Sequence, residues 1–165
     1  MDLPDIVSRF GAADFIYPPT SAEDLNAARV RGIPDSLLEL FRLVDGLYVI
    51  PGEDFLAPNG QSFRFQIPRL RQIESVAEAG YCPSHSPMVR RLERWWQFLD
   101  CGDGNWVGMT DSEDHCRIVD LFHETIGTPG SHAVIADSLE RFLELLLEHQ
   151  GMFWLGEEFP KVVWI

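Results

Sequence analysis

Leu37, Leu38, Phe41 and Val44 recur at the spacing of one helix face. Pro34 suits the first turn of that helix, and Asp45 and Gly46 end it, the glycine being fit for a left-handed cap. Two helices are expected before it. One is short and covers residues 5–10. The other opens at Ser21 or Thr20 as N-cap, after Pro18 and Pro19 break the chain, and ends near Gly32. The pattern then changes. Residues 47–50 form an apolar run, and Asn59 with Gly60 makes a strong hairpin turn. Beyond it Phe63, Phe65 and Ile67 alternate with Ser62, Arg64 and Gln66, the period of a strand with one apolar face.

After Pro68, residues 69–79 are expected to be helical, residues 81–87 to loop, and residues 88–94 to form a further helix. Three short apolar runs follow, at 95–99, 106–109 and 117–122, separated by turn-rich segments. Short connections between consecutive strands imply an antiparallel meander. A fourth strand is expected at 133–135. The last helix is expected to be capped by Asp137, with Glu140 completing a capping box. It carries a buried stripe of Leu139, Phe142, Leu143 and Leu146, and Gly151 can end it. The tail from 152 is rich in aromatics, and residues 162–165 could add an edge strand. The predicted fold class is α+β: an antiparallel meander packed with several helices, in one domain over residues 1–165.

Composition narrows the function. At 165 residues and 45% apolar content the chain can build its own core. It shows no membrane-spanning run and no signal-peptide pattern. Its three cysteines, Cys82, Cys101 and Cys116, follow no disulfide or metal spacing, so free thiols and a cytoplasmic location are expected. The net charge is −13. Residues 100–165 hold 13 acids against three bases, and residues 1–99 hold 13 against ten. Such a field repels nucleic acid and anionic membrane and attracts a basic protein. Acidity that only keeps the chain soluble is the plainer alternative.

Candidate chemistry is sparse. His123 and Glu124 lack the second histidine that a zinc-protease helix needs, because position 127 is glycine. A structural bond from His123 to backbone is expected instead. The residues from Asp100 fail the register of a calcium loop. No nucleophile elbow or phosphate loop is present, and Lys161 is the only lysine. No catalytic residue, metal or cofactor is therefore expected. The candidate partner-binding residues are Asp103, Asp111, Glu113 and Asp114 in the meander turns, and Glu140, Glu144 and Glu148 on the last helix. The two turns can lie at opposite ends of the sheet, and the helix face also reads as an ordinary solvated one. Trp95 and Trp96 are adjacent in a strand, so one faces the core and the other outward; Trp96 is the candidate interface anchor.

The order of these motifs resembles the SUKH superfamily, which includes fungal cell-wall-synthesis regulators and many bacterial immunity proteins. IPDSLLELF at 33–41 with VDG at 44–46 is similar to its opening helix and terminal glycine, although Asn-Gly is usual there. FLDCGDGNW at 98–106 is similar to its strand–turn–strand signature, IVDLFHE at 118–124 to its later strand, and IADSLERFL at 135–143 to its final helix. The likeness spans about 21–150 and leaves the aromatic tail 151–165 outside it. It implies a non-enzymatic binding module, commonly one that neutralises a toxin domain delivered between bacteria. The acidic charge suits a basic, nuclease-type toxin. A regulatory scaffold without a toxin partner is the alternative.

Overall fold

The computed structural model describes residues 1–10, 17–49, 55–56, 62–63, 65–81, 88–111, 116–149 and 154. Three helices lead the chain: α1 (Leu3–Arg9), α2 (Ala22–Val30) and α3 (Asp35–Leu43). The first starts earlier than its apolar pattern suggests. Asp2 accepts the Asp5 amide at 3.0 Å and caps it, with Pro4 in the first turn. Ser21 caps α2 as expected, accepting the Asp24 amide at 3.1 Å. Leu37, Leu38, Leu40 and Phe41 of α3 are buried, and Val44, just past its end, is buried with them. Gly46 follows with φ of 99°.

Among the described residues the main sheet has seven strands, all antiparallel. Its order is β1 (Leu47–Tyr48), β4 (Gln66–Ile67), β6 (Trp95–Asp100), β7 (Trp106–Thr110), β8 (Arg117–Leu121) and β9 (Val134–Ala136). β5 (Glu74–Ser75) shares an edge of β6 with β4. The meander β6–β7–β8 is the one the sequence predicts. A separate two-stranded pair joins β2 (Phe55–Leu56) to β3 (Ser62–Phe63). The predicted turn at Asn59 and Gly60, and the predicted edge strand at 162–165, lie outside the described residues.

Three expectations are corrected. The alternating run 62–67 is not one strand: β3 pairs only with β2, whereas β4 joins β1 and β6 in the main sheet. Residues 69–79 are not a helix but a 3-10 turn (Leu70–Gln72), then β5, then a turn. Leu70, Ile73 and Val76 are all buried, and their spacing imitates a helix. Pairing of Glu74 with Gln97 and Ser75 with Trp96 across the edge of β6 outweighs that local signal. Ser75 and Glu78 then close a reciprocal turn, each amide donating to the other's side chain at 2.8 and 3.2 Å. The last helix, α5 (Leu139–His149), is capped by Ser138 and not by Asp137: the Ser138 hydroxyl accepts the Arg141 amide at 3.1 Å. The predicted stripe of α5 is buried.

Two apolar clusters sandwich the sheet. One lies on the side of α1, α2, α3 and α5 and takes Trp96, Phe98, Val107, Met109 and Ile118. The other takes Trp95, Val119, Leu121 and Val134, with Leu92 of α4 (Val89–Leu92) and Ile126 from the segment after β8. Burying both faces explains the near-continuous burial of β6.

Candidate functional site

The β6–β7 turn is held by its own side chains. Asp100 accepts the Gly102 amide at 2.8 Å, and Asp103 accepts the Asn105 amide at 2.9 Å and its side-chain NH2 at 2.8 Å. Asn105 in turn accepts the His123 amide at 3.0 Å, and its oxygen lies 2.8 Å from His123 Nδ1. The expected bond from His123 to backbone is replaced by one to a side chain: its imidazole meets Asn105. Asp103 is exposed at the tip of this turn, and exposed Glu124 follows His123.

Asp120 stands close by on β8, opposite Val107. Sequence reasoning passed over it, because an alternating polar residue in a strand is unremarkable. Burial pushes its carboxyl up to about 6, a bond from the Trp154 side chain pulls the other way, and the charge of Asp103 adds to the rise. Cys101 sits among the same acids. Its thiol is pushed well above the ordinary range, first by burial and then by Asp103, Asp120 and Asp100. These contacts define an acidic corner at one end of the sheet. Half-exposed Trp106 and Phe122, the latter 38% exposed, stand at the same strand ends.

The other candidates fall elsewhere. Asp111 is at the far end of β7, about 13 Å away by the rise of a strand, and pairs with Arg94 at 3.2 Å. Asp103 and Asp111 therefore belong to no single patch. Glu113 and Asp114 lie outside the described residues. On α5, Glu144 meets the N-terminal ammonium at 3.1 Å and Arg141 at 3.3 Å, and Glu148 lies 3.8 Å from Arg141. Those partners hold the Glu144 carboxyl below its usual range, the N-terminus first. Glu140 is half-buried in the first turn of α5. This helix face is partly neutralised within the chain, which favours the solvated-face reading.

Trp96 is corrected as an exposed anchor. The pair does face opposite sides of β6, but both sides are covered, and Trp95 and Trp96 are each 3% exposed. Arg31 caps the Trp96 ring, its guanidinium carbon 5.6 Å from the centroid. Another buried polar residue drew no attention in the sequence. His132 is fully buried, stacks edge-on against Trp95 and bridges the chain, with Nδ1 3.2 Å from the Asp120 carbonyl and Nε2 accepting the Gly127 amide at 3.3 Å. The Gly127 bond requires Nε2 to be unprotonated, so Nδ1 carries the proton. Burial holds this imidazole below its ordinary range.

Cys101 and Cys116 are free thiols; Cys82 lies outside the described residues. Among the described residues no group of three or more His, Cys, Asp or Glu could hold a metal ion, and no helix is long and apolar enough to cross a membrane. Comparison with protein-family models, curated proteins and solved structures found no match.

Proposed function

We propose that this chain is a non-enzymatic protein-binding module of the immunity type, acting in the cytoplasm on a basic, nuclease-type toxin domain. One observation carries the reading: the charge asymmetry along the sequence becomes an asymmetry in space. Among the described residues, Asp103, Asp111, Asp120, Glu124, Asp137, Glu140, Glu144 and Glu148 lie on β7, β8, α5 and the segments joining them, and α5 packs on β8 and β9, so that these acids gather on one side of β6. The family resemblance of the motifs supports the toxin-binding role. The acidic corner is the favoured contact surface, because it combines exposed Asp103 and Glu124 with partly exposed Trp106 and Phe122. Aromatic anchors within a charged rim are the usual composition of a binding hot spot.

The test looks first for a toxin domain encoded beside this gene and then measures association rates with that domain over a range of salt. Reversing Asp103 and Glu124 to Lys is expected to slow association about tenfold or more, and the wild-type rate is expected to fall as salt rises. The same reversal at Glu23 and Glu39, on α2 and α3, is expected to do much less. Circular dichroism establishes first that both variants fold. Equal effects from the two pairs, with a rate indifferent to salt, would remove the acidic side as the binding surface.

A further inference from the structure

A groove of about 360 Å³ opens between α2 and the segment Arg69, Leu70 and Arg71, on the β4–β5 side of β6 and away from the acid-rich strands. Its α2 wall is the helix face of Asp24, Ala27 and Ala28, continued by Arg31 just past the helix end. The two alanines keep that wall low, and Leu70 is buried opposite them. Three arginines line the groove, in a chain of net charge −13.

Two of these guanidinium groups are fixed in place. Arg69 donates through Nε and Nη2 to Asp45 at 2.8 Å and stacks over Tyr17. Asp45, only 7% exposed, is also saturated by the Leu70 amide at 2.8 Å. Arg31 donates through Nη2 alone, to the Ile73 carbonyl at 2.9 Å and to Glu78 at 3.3 Å, while Trp96 supports its plane. Its Nε and Nη1 hydrogens stay uncommitted among the described residues. Arg71 is exposed and makes no ion pair or hydrogen bond among the described residues. A second observation points to the same place. Thr20 lines the groove, and its hydroxyl oxygen is buried with no hydrogen-bond partner among the described residues. A buried polar atom left unpaired costs on the order of 1–3 kcal/mol, so a ligand that reached it through a small shift of the groove wall would recover part of that.

We propose that this groove binds a phosphate or carboxylate group of a small ligand. Arg71 supplies the uncompensated charge, Arg31 supplies pre-oriented donors, and the Thr20 hydroxyl supplies a neutral donor. Planar guanidinium donors match the paired oxygens of such an anion. Asp24, which also lines the groove at the Thr20 end of α2, accepts the Ser21 hydroxyl at 2.7 Å and is the one lining charge left to oppose the anion, since Asp45 is paired with Arg69. The site is independent of the acidic corner and does not require that corner to bind a toxin.

The experiment titrates the full chain with inorganic phosphate, and separately with malonate, at constant ionic strength, following backbone amides by NMR. Saturable shifts confined to the α2 wall and to residues 69–72 are expected with at least one of the two anions. Arg71→Gln is expected to weaken that binding at least about tenfold. Thr20→Val is expected to weaken it less, and Asp24→Asn to leave it equal or tighter. Arg71 is exposed and unpaired among the described residues, so its variant is expected to fold like the parent. Shifts that never saturate with either anion, or saturation unchanged in Arg71→Gln, would overturn the proposal.

Discussion

Asp120 on β8 and His132, just before β9, are linked through the Asp120 carbonyl and bias stability in opposite directions as pH changes. The Asp120 carboxyl moves from 3.8 up to about 6 on folding. Between those values the folded chain keeps a proton that the unfolded chain releases, so stability falls as pH rises through that window. Asp120→Asn is therefore expected to raise stability at pH 7 by on the order of 1–2 kcal/mol, with the gain vanishing near pH 4. His132 is held below its ordinary 6.5. Below that value the unfolded imidazole takes up a proton that the folded one resists, so its contribution is lost on acidification. Thermal melts from pH 4 to pH 8 check both: in Asp120→Asn the curve should rise with pH up to about 6.5. A variant curve parallel to that of the parent would remove Asp120 as the source. Gly108 offers a packing test. A Cβ there would lie 2.5 Å from Leu121 Cδ1 and 3.1 Å from Cγ, so Gly108→Ala is expected to cost about 1–3 kcal/mol by chemical denaturation. Adding Leu121→Val should cost less than the sum of the two single changes. Cys101, buried and with a raised thiol, should react with a thiol reagent only as fast as the chain opens, whereas half-buried Cys116 should react sooner.

At the scale of elements, the caps decide how helices begin. Ser138→Ala is expected to destabilise by about 1 kcal/mol, because its hydroxyl accepts the Arg141 amide, while Asp137→Ala should be nearly silent. Equal losses in thermal melts would mean that the two residues share the cap. The sequence offered Asp137 and Ser138 side by side, and spacing alone does not choose between neighbouring caps. Helices α3 and α5 were legible because their apolar stripes face one core and nothing competes with their period. The meander was legible because glycine and aspartate punctuate it. Residues 69–79 were not, since their pairing partner on β6 lies more than twenty positions away and periodicity reports only local order. For Trp95 and Trp96, alternation gave the side each ring faces, but exposure depends on what covers that side. The acidic corner was half legible: Asp103 stood out as a turn acid, whereas Asp120 became distinctive only when folding brought Cys101, Asp103 and Trp154 around it.

Across the whole molecule, β6 is the strand on which everything else assembles. It pairs along one edge with β7 and along the other with both β4 and β5. The first partnership is local, since five residues turn β6 into β7 and β8 follows soon after. The second is remote: Gln66 must find Asp100, and Ser75 must find Trp96. Closing those longer loops costs chain entropy before any contact compensates for it. The order of assembly follows. Strands β6, β7 and β8 should be paired in the folding transition state, with the β4 and β5 edge arriving afterwards. Val107→Ala and Val119→Ala are then expected to slow folding, with φ-values of about 0.5 or higher, and Ile67→Val mainly to speed unfolding. Stopped-flow chevrons read both limbs, and a high φ-value at Ile67 with low ones in the meander would reverse that order. The groove beside Arg69 and Arg71 would on this account be among the last features to form. Its walls join α2 to the segment between β4 and β5, so an anion held there would act mainly as a brake on unfolding, slowing the step in which that edge first comes away.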